Sequence, residues 1–312
     1  MKPRILVISS ANVDFVQNVC EMPRGGETVV ETRSYSYVPG GKGANSAITF
    51  ARLGGDTVFC AKVGRDDNGK MLKKLYKSEG IDTRYIYEDR EAPTGLASVI
   101  VEDSGENRII VYPGANAAMT PDDVEEAFNC MPDGVFVHFE VPDDAVLAAA
   151  EFAAEKNIPL FVDAGPVRPS MEIEKLRRAE IFSPNESECE AITGIYPDSL
   201  EDCLRAAICL SNMADFKYIV LKIGRRGAFI YDRKNYYIYN PPKVKAVDTT
   251  AAGDIFTAAM SYAYMQKGDI GEAVRFANLA ASLSVTRSGA STSVPTLKEV
   301  KAFAKQVKEV GR

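Results

Sequence analysis

Residues 134–165 read "GVFVHFEVPDDAVLAAAEFAAEKNIPLFVDAG". The two ends, "GVFVHFE" and "PLFVDAG", are β-like apolar runs, and Asp143–Lys156 between them carries apolar residues at helical spacing. Strand, helix and strand in that order make a βαβ unit, which predicts parallel pairing. The same alternation recurs along the chain. "RILVIS", "TVFCAKVG", "EIFSPN" and "KYIVLKIG" read as further strands, and Thr120–Asn129, Ser187–Thr193 and Leu200–Met213 as helices. A mainly parallel α/β sheet follows, whose ligands bind beyond the carboxyl ends of the strands.

Two early segments break the pattern. "ETVVETRSYSYVPGG" (27–41) and "TGLASVIVEDSGENRIIVYPG" (94–114) alternate apolar with polar residues, the second around a turn-forming "EDSGEN". They read as a small antiparallel sheet outside the main one, either covering a site or forming a dimer interface.

Composition narrows the function. With 312 residues the chain can bury a large core, and its net charge of −6 points to a small substrate rather than to nucleic acid or an anionic membrane. No apolar run reaches the roughly 18 residues that span a bilayer. Asn12 and Asp14 interrupt the opening apolar stretch before a signal-type core is complete, so it reads as the first strand of a cytoplasmic protein. The six cysteines form no C-x-x-C pair and the only histidine, His138, lies in an apolar run. That leaves no zinc spacing and reads as a packed core imidazole.

Five stretches remain for chemistry. "VDTTAAGDIFTAAM", from Val247, places a carboxylate, Asp254, at a helix start, where it suits the dipole with or without a ligand. Ala251, Ala252 and Gly253 have too little side chain to cover their backbone N–H groups, so those donors are available to an anion. "PGGKGANSA" (39–47) sets Lys42 and Asn45 among glycines that permit close approach of a ligand, though it fails the P-loop and dinucleotide patterns. Asn12 and Asp14, two apart in an extended segment, project to one side toward a polyol. Ser183-Pro184-Asn185-Glu186 reads as a capping box, leaving Asn185 and Glu188 unexplained, and "LKIGRRGAFIYD" reads as a hairpin carrying Arg225 and Arg226.

In this order, "GGKGAN", "PNESE", "GRRG", "DTTAAGD" and "VTRSGASTSVP" closely resemble the ribokinase-like family of carbohydrate kinases, over almost the entire chain. "NVDF" followed by "PRGGET" is more similar to its ribose-phosphorylating members than to its fructose- or adenosine-phosphorylating ones. The resemblance implies a three-layer α/β sandwich, one kinase domain over 1–312 with a β lid from about 12–40 and 93–112, and often a homodimer through the lid. It implies ATP-dependent phosphorylation of D-ribose at the 5-hydroxyl. Another sugar or nucleoside kinase, or a non-catalytic sugar or nucleotide sensor, are the alternatives. Asn12, Asp14, Gly41, Lys42, Gly43, Asn45 and Glu140 correspond to sugar contacts, and Asn185, Lys222, Gly224, Arg225, Arg226, Gly227, Gly253 and Asn278 to nucleotide contacts. Asp254 corresponds to the general base and Glu188 to the magnesium network. Asp248, Thr250, Ser284, Arg287, Gly289 and Ser293 match a potassium-type cation site. Ser46, Ile255, Asn278 and Asp163, the last replacing an expected Asn, depart from the pattern without removing a catalytic group.

Overall fold

The computed structural model describes residues 2–310, apart from Thr32, Gly105 and Arg177. In chain order its strands are β1 (Arg4–Ile8), β2 (Asn12–Val19), β3 (Tyr35–Gly40), β4 (Asp56–Gly64), β5 (Ile86–Asp89), β6 (Gly95–Glu102), β7 (Asn107–Tyr112), β8 (Gly134–Val137), β9 (Leu160–Asp163), β10 (Ala179–Ser183), β11 (Tyr218–Lys222), β12 (Ala228–Tyr231) and β13 (Tyr236–Tyr239). Its helices are α1 (Lys42–Arg52), α2 (Asp67–Ser78), α3 (Pro121–Ala127), α4 (Asp143–Glu155), α5 (Glu186–Thr193), α6 (Leu200–Met213), α7 (Ala252–Lys267), α8 (Ile270–Ser284) and α9 (Leu297–Val310).

The main sheet runs β13-β12-β11-β10-β9-β8-β1-β4-β5, parallel from β11 to β5, with β12 and β13 added antiparallel at one edge. Apolar packing on both faces explains the continuous apolar runs. Leu6 and Ile8 of β1 face the core under α3, α4 and α6, while Ile5 and Val7 face the core under α1, α7 and α8. That alternation makes the three layers. The unit β8–α4–β9 pairs in parallel as its sequence predicts, but β8 stops at Val137. His138, Phe139 and Glu140 leave the strand at its carboxyl end, where Phe139 N–H donates to Gly165 O at 3.0 Å.

The second sheet runs β3-β2-β6-β7. It corrects two expectations. β2 and β6 pair in parallel, so the sheet is mixed rather than antiparallel, and among the described residues of the 27–41 stretch only Tyr35–Gly40 is strand. The hairpin between β6 and β7 is present, although Gly105 of its turn lies outside the described residues. Register matters more than strand count here. Asn12, four residues after β1 ends, faces Gly40 on one neighbour and Gly95 on the other, and Gly40 lies two residues before α1 begins. The small sheet therefore joins the main body at the end that carries the polar loops.

Candidate active site

Asn12 is buried at this junction, and its side-chain oxygen accepts from Asn116 Nδ2 at 2.7 Å, while Asn116 Oδ1 accepts from Ala11 N–H at 2.9 Å. Asp14, two residues on, lies on the same face of β2. It presses against the next strand: a Cβ on Gly40 would stand 2.0 Å from Asp14 Oδ1, so a side chain there would displace the carboxylate. Gly41 follows with φ 90°, which favours glycine, and α1 starts at once. The first N–H of α1, from Lys42, donates to Glu140 Oε2 at 2.9 Å, and Ser10 Oγ donates to the same oxygen. The predicted sugar-side residues thus come from β2, the start of α1 and the end of β8, and they meet.

Asp254 occupies the third position of α7 and is 4% exposed. Lys42 Nζ donates to its Oδ1 at 3.1 Å and Asn45 Nδ2 to its Oδ2 at 2.9 Å. Sequence reading assigned Lys42 and Asn45 to the sugar and did not foresee that both would grip Asp254. Asn45 Oδ1, the other end of this amide, is buried without a hydrogen-bond partner among the described residues. The helix begins at Ala251, φ 61°, with no side-chain cap. One expected donor is taken: Ala252 N–H bonds Thr249 O at 3.2 Å. Those of Ala251, Gly253 and Asp254 have no protein acceptor among the described residues, so the turn still presents several N–H groups to an anion.

Beside this turn lies a buried charge cluster. Lys222 Nζ contacts both oxygens of Asp163 at 2.8 Å and Thr257 Oγ1 at 3.3 Å, with Glu188 Oε2 at 3.9 Å. Burial alone pushes the Asp163 carboxyl up, but the Lys222 ammonium outweighs it and holds the group below its ordinary value. His138, Asp163 and Asp254 bring ligand-type atoms within 4.8 Å of one another. Burial pushes the imidazole down to about 4, consistent with the packed, neutral ring expected, and the two carboxylates already have ammonium partners. Glu140 and Glu188 are both raised by burial, and Asp14 is raised to about 7 by burial and by its neighbours Glu140 and Asp254. Burial disfavours charge on Lys42, but Asp254, Asp163, Glu188 and Glu140 raise it on balance.

The capping box is corrected. Ser183 belongs to β10 and donates to Val220 O, whereas Asn185 is the N-cap of α5: its Oδ1 accepts from Glu188 N–H at 2.8 Å and Glu188 Oε2 accepts from Asn185 N–H at 2.7 Å. The cap therefore explains Asn185 and Glu188, the two residues the sequence left over. Glu188 Oε1 points at Gly165, whose Cβ would stand 2.1 Å from it. Gly224–Arg226 is a tight turn between β11 and β12. Arg226 is spent on Glu186 Oε1, Pro197 O and Asp198 O, while Arg225 and Gly224 are exposed and Gly227 is buried. Asn278 Nδ2 donates to Tyr239 O at 2.8 Å. In the last group, Asp248 Oδ1 accepts from Thr250 N–H and Oγ1–H, and Oδ2 accepts from Gly289 N–H at 2.8 Å. Ser284 O accepts from Arg287 N–H, and Ser293 closes a short turn on Ala290. The structure joins Asp248, Thr250 and Gly289 directly, immediately ahead of the anion turn.

Residues 2–297 match the model of the pfkB family carbohydrate kinases. The chain belongs to this family. It is 34% identical over 303 residues to a ribokinase of Staphylococcus aureus, covering 96% of this chain and 99% of that one. It is 36% identical over 296 residues to a bifunctional ribokinase/ribose-5-phosphate isomerase A of Fructilactobacillus sanfranciscensis, where the match covers 94% of this chain and 54% of the longer protein. Arabidopsis thaliana ribokinase complexed with ribose and ATP superposes with a TM-score of 0.90 at 31% identity, covering 98% and 99% of the two chains. This pfkB-family kinase has the large mostly parallel sheet and small second sheet expected of it.

Sequence reading missed Ser10, Asn116, Thr257 and the pairing of Asp163 with Lys222. Only the last left a signal: a lysine closing the apolar strand "YIVLK" needs a buried counter-charge.

The electrostatics of Asp14 give a test. Its folded value, about 7, lies well above the ordinary aspartate value, so between the two the native chain binds more protons than the unfolded one and loses stability as pH rises. Asp14→Asn removes that penalty. Thermal unfolding of the variant without ligand should show a Tm gain of roughly 2 °C or more at pH 8, and little change at pH 4. A variant less stable than the parent at pH 8 would contradict the crowded-carboxylate geometry.

Proposed function

We propose that the chain transfers the terminal phosphoryl group of ATP to the 5-hydroxyl of D-ribose, giving ribose 5-phosphate and ADP. The observation that carries this reading is Asp254, held between Lys42 and Asn45 at the head of α7 beside unsatisfied N–H groups. A hydroxyl placed against Asp254 loses its proton to that carboxylate as its oxygen attacks phosphorus, and the N–H groups of Gly253 and Asp254 receive the charge on the transferring group. Asn12, Asp14, Gly41, Gly43, Asn45 and Glu140 orient the sugar. Asn185, the Gly224–Gly227 turn and Asn278 border the nucleotide.

Magnesium is part of this reading. Glu188 fits it, since Oε1 has no hydrogen bond among the described residues and a hard carboxylate oxygen suits that ion. When bound, magnesium supplies positive charge to the phosphates. We also assign a potassium-class cation to Asp248, Thr250 and the backbone oxygens near Ser284, Arg287, Gly289 and Ser293. An all-oxygen donor set fits such a cation, and the Arg287 guanidinium is turned away onto Glu299 at 2.7 Å. Potassium there adds potential to the adjoining turn. A homodimer through the lid is supported by exposed apolar side chains on β3 and β7, among them Tyr35, Tyr37, Ile109 and Val111. A cytoplasmic location accords with buried free thiols at Cys60, Cys130, Cys189 and Cys203.

Asp254→Asn should bind ribose and ATP within a few-fold of the parent yet turn over at least about 10² more slowly. Near-normal turnover excludes Asp254 as the base.

The substrate is tested by kcat/KM for ADP release across ribose, 2-deoxyribose, fructose and adenosine. Groups that bond each hydroxyl are left buried and unpaired by an analogue lacking one, at roughly 1–3 kcal/mol. Ribose should lead 2-deoxyribose by about tenfold or more, and Asp14→Ala should lose sugar affinity while ATP binding survives. A better rate with another acceptor replaces ribose and leaves the kinase chemistry standing.

The same assay in potassium, sodium and a bulky organic cation at equal ionic strength should be fastest in potassium. Identical rates would remove the cation from the reading.

A further inference from the structure

We propose that Asp163, Thr257 and Lys222 form a device that fixes one positive charge under the anion turn, with Lys222 meeting the terminal phosphate of the nucleotide and the other two as positioning residues. The inference rests on the kinase reading above. Lys222 ends β11, after the buried Ile219, Val220 and Leu221, and Asp163 ends β9, two strands away across β10. Both side chains reach over the carboxyl edge of the sheet. Thr257, in the second turn of α7, donates to Asp163 Oδ2 at 2.7 Å, and its hydroxyl lies 3.1 Å from Gly253 O. One side chain therefore links the ion pair to the residue whose free N–H faces the anion.

The pair is not symmetric. The Asp163 side chain has no exposure, while 10% of the Lys222 side chain is exposed, so the carboxylate is the more deeply buried partner. Lys222 Nζ lies 3.8 Å from where a Gly253 Cβ would stand. Two contacts of 2.8 Å commit it to Asp163, but its bond to Thr257 is long at 3.3 Å and is the one a phosphate oxygen can take over. The backbone is pinned as well, because Lys222 N–H donates to Pro184 O at 2.9 Å. A buried ion pair stabilises a fold no better than well-packed apolar residues do. Its place against an anion turn, rather than its contribution to stability, is what it offers.

The variants Lys222→Met and Asp163→Asn/Lys222→Thr separate a structural from a phosphate-binding role. Affinities for ATP and AMP are measured by calorimetry, with Tm and turnover alongside. Lys222→Met should weaken ATP by roughly tenfold or more, the size expected for a lost charged hydrogen bond, and leave AMP within about twofold. The double variant removes both charges, so it should regain parental Tm within a few degrees and still bind ATP roughly tenfold more weakly. Should Lys222→Met not fold, the double variant decides. Parental ATP affinity and turnover in the double variant would make the pair structural and overturn the inference, with the kinase reading intact. A parent protein that binds no ATP would sink the kinase reading itself.

Discussion

The grip of Lys42 and Asn45 on Asp254 is the contact on which the site's arrangement depends. It joins the first turns of α1 and α7, which are separated by more than 200 residues of chain, and it does so with one charged and one neutral donor on the two oxygens of a single carboxylate. A carboxylate with 4% exposure needs both. Fixing it sets the distance between the helix starts. That in turn fixes Glu140, which receives the first N–H of α1, and the free N–H groups of Gly253 and Asp254, on the residue before the carboxylate and on its own residue. The Asp254 carboxylate, Glu140 and the uncapped turn of α7 are thus not three separately placed features. Displacing either helix moves all of them.

The small sheet obeys the same constraint through its register. Asn12 stands between Gly40 and Gly95, and a side chain at either glycine would collide with Asp14 or with Asn12 and Asn116. Because Gly40 also leads into α1, the pairing that holds β2 positions the loop that carries Lys42. A shift of one residue would turn Asn12 and Asp14 to the opposite face. The small sheet is therefore tied to the site by backbone pairing at its base, whatever its outer face meets.

Much of this was legible in the sequence, for identifiable reasons. Parallel strands buried on both faces announce themselves as continuous apolar runs, so the βαβ unit at 134–165 and the sheet built on it could be read directly. Small residues before Asp254 advertise an uncovered helix start. Contacts between distant segments were not legible. Asn116 supporting Asn12, Ser10 on Glu140 and Thr257 on Asp163 are ordinary polar residues in ordinary places until the fold brings them together. The parallel pairing of β2 and β6 was hidden because alternation marks a half-exposed strand without giving its partner's direction. The capping box was misplaced by two residues because Ser-Pro-Asn-Glu satisfies the local pattern, and only the end of β10 decides where the helix can start.

The way the helices begin sets the two at the site apart from the rest. α2, α3, α5, α6, α8 and α9 start on side chains that accept from their own first turns, namely Asp66, Thr120, Asn185, Ser199, Asp269 and Thr296. α4, following Pro142, has no such cap but opens with Asp143 and Asp144, which suit its dipole. The two helices that meet at the site are different. α1 starts at Gly41, and its leading N–H is met from outside by Glu140; α7 starts at Ala251, a left-handed non-glycine residue with no capping group. Such a conformation costs an alanine on the order of 1 kcal/mol, and an Asp or Ser at that position would remove the vacancy by filling it. A side-chain cap at Ala251 would occupy the donors that the proposed phosphoryl transfer needs. Leaving α7 uncapped gives up local stability and keeps those donors, flanked by Lys222 and Asp254, open, as that reading requires.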